Sequence, residues 1–157
     1  MTMRPMTRAL TLTGILATVL WAGFPADLAA QDSDTEAVMV AAGQWAASQL
    51  PSGELGLDPH RTGRSTSQDV ARRVASNLGA RLMTLEEARP CTDPTDPSTC
   101  QLQIAALLAI GAPAVDGDGA RVRVYAWYRQ DSRHNPVAQE SWDLTLRRTS
   151  GGWQVNL

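Results

Sequence analysis

One short stretch of this chain sets an acid–base group beside a carboxylate: Asp58-Pro59-His60-Arg61. A histidine near an aspartate can act as a general base at neutral pH. The same four residues also fit an ordinary solvent-exposed loop. His134, in Asp131-Ser132-Arg133-His134-Asn135-Pro136, falls at the tip of an expected hairpin. No Gly-rich phosphate loop, no Gly-x-Ser-x-Gly and no His-Glu-x-x-His occurs in the chain. Asp116-x-Asp118-Gly119 offers oxygens at a calcium-like spacing, yet the twelfth loop position, where an EF-hand needs Glu, is Trp127. Asp-Gly repeated twice reads instead as a tight hairpin turn. Asp93 and Asp96 each precede a proline, a pattern that shapes turns but also leaves room for a weakly held cation. No metal centre and no cofactor is expected, and no catalytic residue can be assigned.

A second pattern concerns binding. Arg121, Arg123, Tyr125, Trp127 and Arg129 occupy alternate positions, so on a strand they share one face. Arginines flanking two aromatics can take an anionic or aromatic ligand by stacking and forked hydrogen bonds. The bland alternative is a solvated outer face on which arginine stems cover Tyr125 and Trp127.

Cys91 and Cys100 are the two cysteines, separated by Thr-Asp-Pro-Thr-Asp-Pro-Ser-Thr. In an oxidising compartment they form a disulfide. Closing so short a loop stabilises by about 2–3 kcal/mol in the chain-entropy picture. A redox pair normally has Cys-x-x-Cys spacing. A zinc site needs two more ligands, for which His60 and His134 are single, scattered candidates.

The compartment is read from the N-terminus. Residues 1–8 hold Arg4 and Arg8 and no acid. Residues 9–24 form an apolar run, Pro25 breaks it, and Ala26-Asp27-Leu28-Ala29-Ala30 supplies small residues. Such an order is that of a secretory signal peptide, cleaved near Ala30. The alternative is an uncleaved anchor, but the run is shorter than the roughly 20 residues of a spanning helix. No cysteine lies near the exit for lipid attachment, and there is no twin-arginine pair. Residues 31–157 then form a single domain in the periplasm or outside the cell. Setting aside Arg4, Arg8 and Asp27 leaves 12 arginines against 15 acids, a net charge of −3. No lysine occurs anywhere, and there is no basic run. Nucleic acid is therefore not an expected partner. Arginine-only basicity with abundant alanine suggests a GC-rich bacterial genome.

The positioning elements follow from periodicity. Val38, Ala41, Ala42, Trp45, Ala46 and Leu50 recur at helical steps and predict a helix over residues 34–50, capped by Asp34 or Thr35. A short strand is expected around Leu55-Gly56-Leu57. Val70, Val74 and Leu78 predict a second helix from about Ser67, opened by Ser65-x-x-Gln68 or Thr66-x-x-Asp69 as a capping box and stopped by Gly79. Residues 80–85 are expected as a strand, and Thr84-Leu85-Glu86-Glu87 as one capped turn. From Gln101 the period becomes two. Strands are predicted over residues 101–110, 120–128, 137–149 and 153–157, with Val122 and Val124 facing the core. The expected class is α+β: two N-terminal helices packed on a curved, mainly antiparallel sheet that ends in a four-strand meander.

The closing strands carry a resemblance. Val122-Arg123-Val124-Tyr125-Ala126-Trp127-Tyr128, then Ser141-Trp142-Asp143-Leu144-Thr145-Leu146-Arg147-Arg148, then Gly151-Gly152-Trp153-Gln154-Val155 are similar to the end of NTF2-like (cystatin-like, cone-shaped) domains. The resemblance spans roughly the last forty residues and implies a cone-shaped sheet. It carries over no catalytic residue, and the cysteine-bridged loop departs from the usual pattern. Three functions are compatible with these readings. One is an exported non-catalytic module of the cell envelope that binds a small molecule or an envelope protein. Another is a small NTF2-like enzyme using His60 or an acid inside the cone, which requires an apolar pocket holding a buried ionisable group. The third is a subunit of a larger envelope assembly whose exposed edge strand pairs with a partner.

Overall fold

Pro25 suits the first position of a helix, because it has no N–H to leave unpaired there and its φ is already helical. The computed structural model describes residues 25–61, 67–130 and 137–156. In it, helix α1 runs Pro25–Ser48. This corrects the helix start expected at Asp34 or Thr35: neither residue is a cap. Asp34 lies within the helix and pairs with Arg148 near the far end of the sheet. Most of the expected signal segment lies outside the described residues. α1 begins within its exit and passes Ala30 without a break.

α1 buries Val38, Met39, Ala42 and Ala46 completely. Gly43 permits the close packing on this face. A Cβ there would lie 2.7 Å from Leu78 Cδ1 and 3.0 Å from Ile110 Cδ1, so the ends of those side chains would have to shift to admit it. After strand β1 (Leu55–Leu57) comes α2 (Gln68–Leu78). Its N-cap is Ser67, whose hydroxyl accepts from Val70 N–H at 3.3 Å. That corrects the capping boxes expected at Ser65 and Thr66, two residues outside the described part. Gly79 ends α2 in the left-handed conformation, φ 63°, as its position predicts.

β2 is short, Arg81–Leu82, rather than spanning residues 80–85. The chain leaves it to start α3 (Leu85–Ala88), where Thr84 and Glu87 form the reciprocal capping box. A 3-10 turn, Pro97–Thr99, lies in the bridged loop. Strand β3 covers Ala106–Ile110 and not the whole expected 101–110. Residues 101–104 leave the ladder: Gln101 N–H donates to Pro90 O and Gln103 N–H to Ala88 O. Every residue of β3 is buried, so alternation is lost because both faces are covered.

β4 (Ala114–Asp116), β5 (Gly119–Arg129), β6 (Val137–Thr149) and β7 (Gly152–Asn156) follow. The Asp116-Gly117-Asp118-Gly119 turn joins β4 to β5 as a hairpin, with Asp116 opposite Gly119. The class is α+β, with one seven-stranded mixed sheet ordered β2-β1-β3-β5-β6-β7 and β4 also paired with β5. The expected meander is present as β3-β5-β6-β7, all antiparallel, with β4 added. β1 pairs in parallel with both β2 and β3. Its link to β2 is the helical crossover α2, which returns the chain in the same direction.

Candidate binding face

Residue parity on β5 divides the sheet into two faces. Ala120, Val122, Val124 and Ala126 point to the helices and are buried. With Leu144 and Leu146 of β6, Leu108 and Ile110 of β3, and the α1 and α2 stripes, they form one continuous core. The space between sheet and helices is therefore filled. Trp45 of α1 closes its rim by meeting Trp142 edge-on, 5.7 Å between ring centroids at 87°.

The other face carries the Arg121, Arg123, Tyr125, Trp127, Arg129 row, and the structure splits that row. Trp127 is only 6 % exposed. It belongs to a second cluster with Met83, Ala88, Leu102, Ile104, Leu107, Ala109 and Val137, built where α3 and the segment after the disulfide fold over the sheet. Tyr125 stands half-buried at its margin, stacked on Trp127 at 6.4 Å and 24°. Burial removes the Trp127 ring as a ready stacking surface. Arg121, Arg123 and Arg129 remain exposed.

Arg123 is committed to a neighbour. Its Nε and Nη2 donate to Asp143 Oδ1 and Oδ2 at 2.6 and 2.7 Å, a bidentate fork between directly paired strand residues. That hydrogen bond lowers the Asp143 carboxyl and raises Arg123. Arg121 borders a shallow, open depression of about 490 Å³ with Ala112, Arg123, Asp143 and Thr145. Arg129 borders another of about 510 Å³ with Glu54, Gln103 and Ala105. Neither Arg121 nor Arg129 has a carboxylate within ion-pair distance among the described residues.

The acid–base candidate resolves differently. Asp58 is 1 % exposed. Its Oδ1 accepts from the backbone N–H of His60 at 2.9 Å and of Arg61 at 3.1 Å, and its Oδ2 accepts from Leu85 N–H at 3.0 Å. It ties the end of β1 to the start of α3. The His60 side chain is at the surface, joined to Asp58 only through its main chain in these bonds. His134 lies outside the described residues.

Arg61 is the residue that sequence reasoning missed. Its guanidinium carbon sits 5.6 Å from the Trp127 ring centroid, with Asp58 and Glu86 both at 3.4 Å. Its place beside Asp58 was the only available signal. A contact with a ring 66 positions away leaves no local pattern.

Cys91 and Cys100 are bridged, on two short segments that face each other antiparallel. Within the loop, Asp93 accepts from Thr95, and Asp96 accepts from Ser98, each through both backbone N–H and hydroxyl. Those bonds hold both carboxyls below their ordinary range and give the acids a turn-forming role. No group of three or more His, Cys, Asp or Glu able to hold a metal occurs among the described residues. No helix there is long and apolar enough to cross a membrane. Compared with known proteins, the chain matches no family model, no curated protein and no solved structure.

Proposed function

We propose that this chain is an exported, non-catalytic domain of the bacterial cell envelope, periplasmic or secreted, that binds a ligand or protein through the solvent-facing side of its sheet. The observation that carries the reading is the filled core: Val38, Met39, Ala42, Leu108, Ile110 and Val124 have no exposed surface between helices and sheet. An enzyme of the cone-shaped kind needs an open, largely apolar pocket in that place. The buried carboxylate of Asp58 accepts from three backbone donors. Arg121 and Arg129, exposed and without carboxylate partners among the described residues, favour an anionic partner group.

Export is supported by the N-terminal residue order and is compatible with the Cys91–Cys100 bridge. The similarity of the closing strands to NTF2-like domains, and a curved, cone-shaped sheet around two helices, belong to the same proposal. The test is the double variant Arg121→Ala, Arg129→Ala. It is expected to keep the wild-type circular dichroism and thermal midpoint while weakening retention on an anionic matrix such as heparin or polyphosphate. Unchanged retention at low salt sinks the anionic reading.

A further inference from the structure

β6 is paired along nearly its whole length on one side and along less than half on the other. β5 takes every position from 137 to 147. β7 takes only positions 145–149. Among the described residues no strand pairs with the outer edge of positions 137–144.

The backbone groups on that edge can be identified. Arg148 N–H donates to Asp118 O at 2.8 Å, on the β5 side. Successive residues of a strand direct their N–H and C=O to opposite edges. Even-numbered positions therefore serve β5. Val137, Gln139, Ser141 and Asp143 direct theirs outward. The Ser150-Gly151 turn agrees, because the pair closing it is Thr149 with Gly152, an odd position facing β7.

We propose that this edge is closed by the same edge of a second copy of the chain, antiparallel, with the two-fold axis passing through Ser141. Antiparallel pairing sets outward groups against outward groups, so the axis must pass through a residue. The Ser141 axis sets positions 139–143 of one copy against 139–143 of the other and stays clear of the positions that β7 fills. An axis at Glu140 sets two glutamates directly opposite each other, a destabilising pair. An axis at Trp142 sends Gln139 against Thr145, a position β7 already fills. The Ser141 register places Gln139 opposite Asp143, Glu140 opposite Trp142 and Ser141 opposite itself, with no like charges opposed.

Protected sheet edges carry Lys, Pro or a bulge. Positions 138–144 hold no Pro and no Lys, and the register with β5 runs without interruption. Both acids on the edge are already engaged: Tyr128 Oη donates to Glu140 at 2.7 Å, and Asp143 holds Arg123. Trp142 is half-buried and packs against Trp45. The pairing forms about six main-chain hydrogen bonds, extends one sheet through both copies and leaves both helical layers on the same side.

The test is sedimentation of the protein purified from the exporting cell with whatever N-terminus it carries. Wild type sediments as a dimer. Ser141→Lys sediments as a monomer with unchanged circular dichroism, since Ser141 is exposed and its main chain does not serve β5. Gln139→Lys stays dimeric, because the new ammonium meets the partner's Asp143. A monomeric wild type at submillimolar concentration, or a dimeric Ser141→Lys, overturns the proposal. If Ser141→Lys does not fold, amide exchange of the wild type decides. Protection of the 139, 141 and 143 amides equal to that of 140 and 142 supports the dimer, and fast exchange at the odd positions overturns it.

Discussion

Arg61 caps Trp127: the guanidinium stands 5.6 Å above the indole centroid while its edge reaches the buried Asp58 carboxylate at 3.4 Å. One side chain thus links the roof of the second hydrophobic cluster to the carboxylate that fixes the end of β1. Arg61→Ala is expected to cost about 0.5–1 kcal/mol, the usual size of a partly exposed cation–π contact. It should also shift the Trp127 indole N–H resonance. Trp127→Ala removes a buried ring and should cost about 3–5 kcal/mol in urea unfolding. A cost below about 1 kcal/mol would mean that the ring is a surface feature, as the sequence also allowed.

Asp58 and His60 separate a structural role from a catalytic one. Asp58→Ala leaves three backbone donors without their acceptor. The expected loss is about 3 kcal/mol or more, since hydrogen bonds to charged groups contribute about 1.5–3 kcal/mol each and do not add fully. His60→Ala, at an exposed site, should change stability by less than about 0.5 kcal/mol. Chemical unfolding of both variants checks the contrast, and a reversed order contradicts the geometry.

Cys91 and Cys100 can be tested by reduction. The bridge closes the loop whose flanks, Pro90 and Gln101, are hydrogen-bonded to each other below the second cluster. Cys91→Ser with Cys100→Ser should lower stability by about 2–3 kcal/mol. Native protein should show no titratable thiol before reduction and two after it.

Acid should weaken the outer face of the sheet. The hydrogen bond from Arg123 depresses the Asp143 carboxyl, and the loop carboxyls of Asp93 and Asp96 are depressed by Thr95 and Ser98. A depressed acid contributes stability above its unfolded pKa, about 3.9 for Asp, and loses it as pH falls through the folded value. The thermal midpoint should therefore hold between neutral pH and about pH 5 and fall below about pH 4. Asp143→Asn should flatten part of that fall, and a midpoint that rises on acidification contradicts the sign.

The later strands of the meander are legible because most of their length has one wet and one dry face. Val122, Val124, Leu144, Leu146 and Trp153 alternate with polar neighbours, and the Gly-containing turns mark the ends. The α2 stop at Gly79 and the Thr84–Glu87 capping box were legible for local reasons of backbone geometry. Legibility failed where distant chain decides. β3 hides its boundary because both its faces are covered, so Leu107 and Ala109 look no different from Leu108 and Ile110. Trp127 sits in a row of exposed arginines and is buried only because Met83, Ala88, Leu102 and Ile104 arrive from elsewhere. The parallel pairing of β1 with β3 spans some fifty residues and leaves no periodic trace. The start of α1 was misplaced because the break at Pro25 is also a favourable first residue for a helix.

Site-directed photo-crosslinking in the exporting cell tests the central claim most directly. A photoreactive residue is placed at Arg121, on the open face of the sheet, and separately at Arg72, on the exposed side of α2. The account predicts a discrete adduct to a foreign envelope component from position 121, lost on competition with excess unlabelled protein and absent from position 72. No adduct from position 121, or equal labelling from both positions, would contradict a binding role for this face.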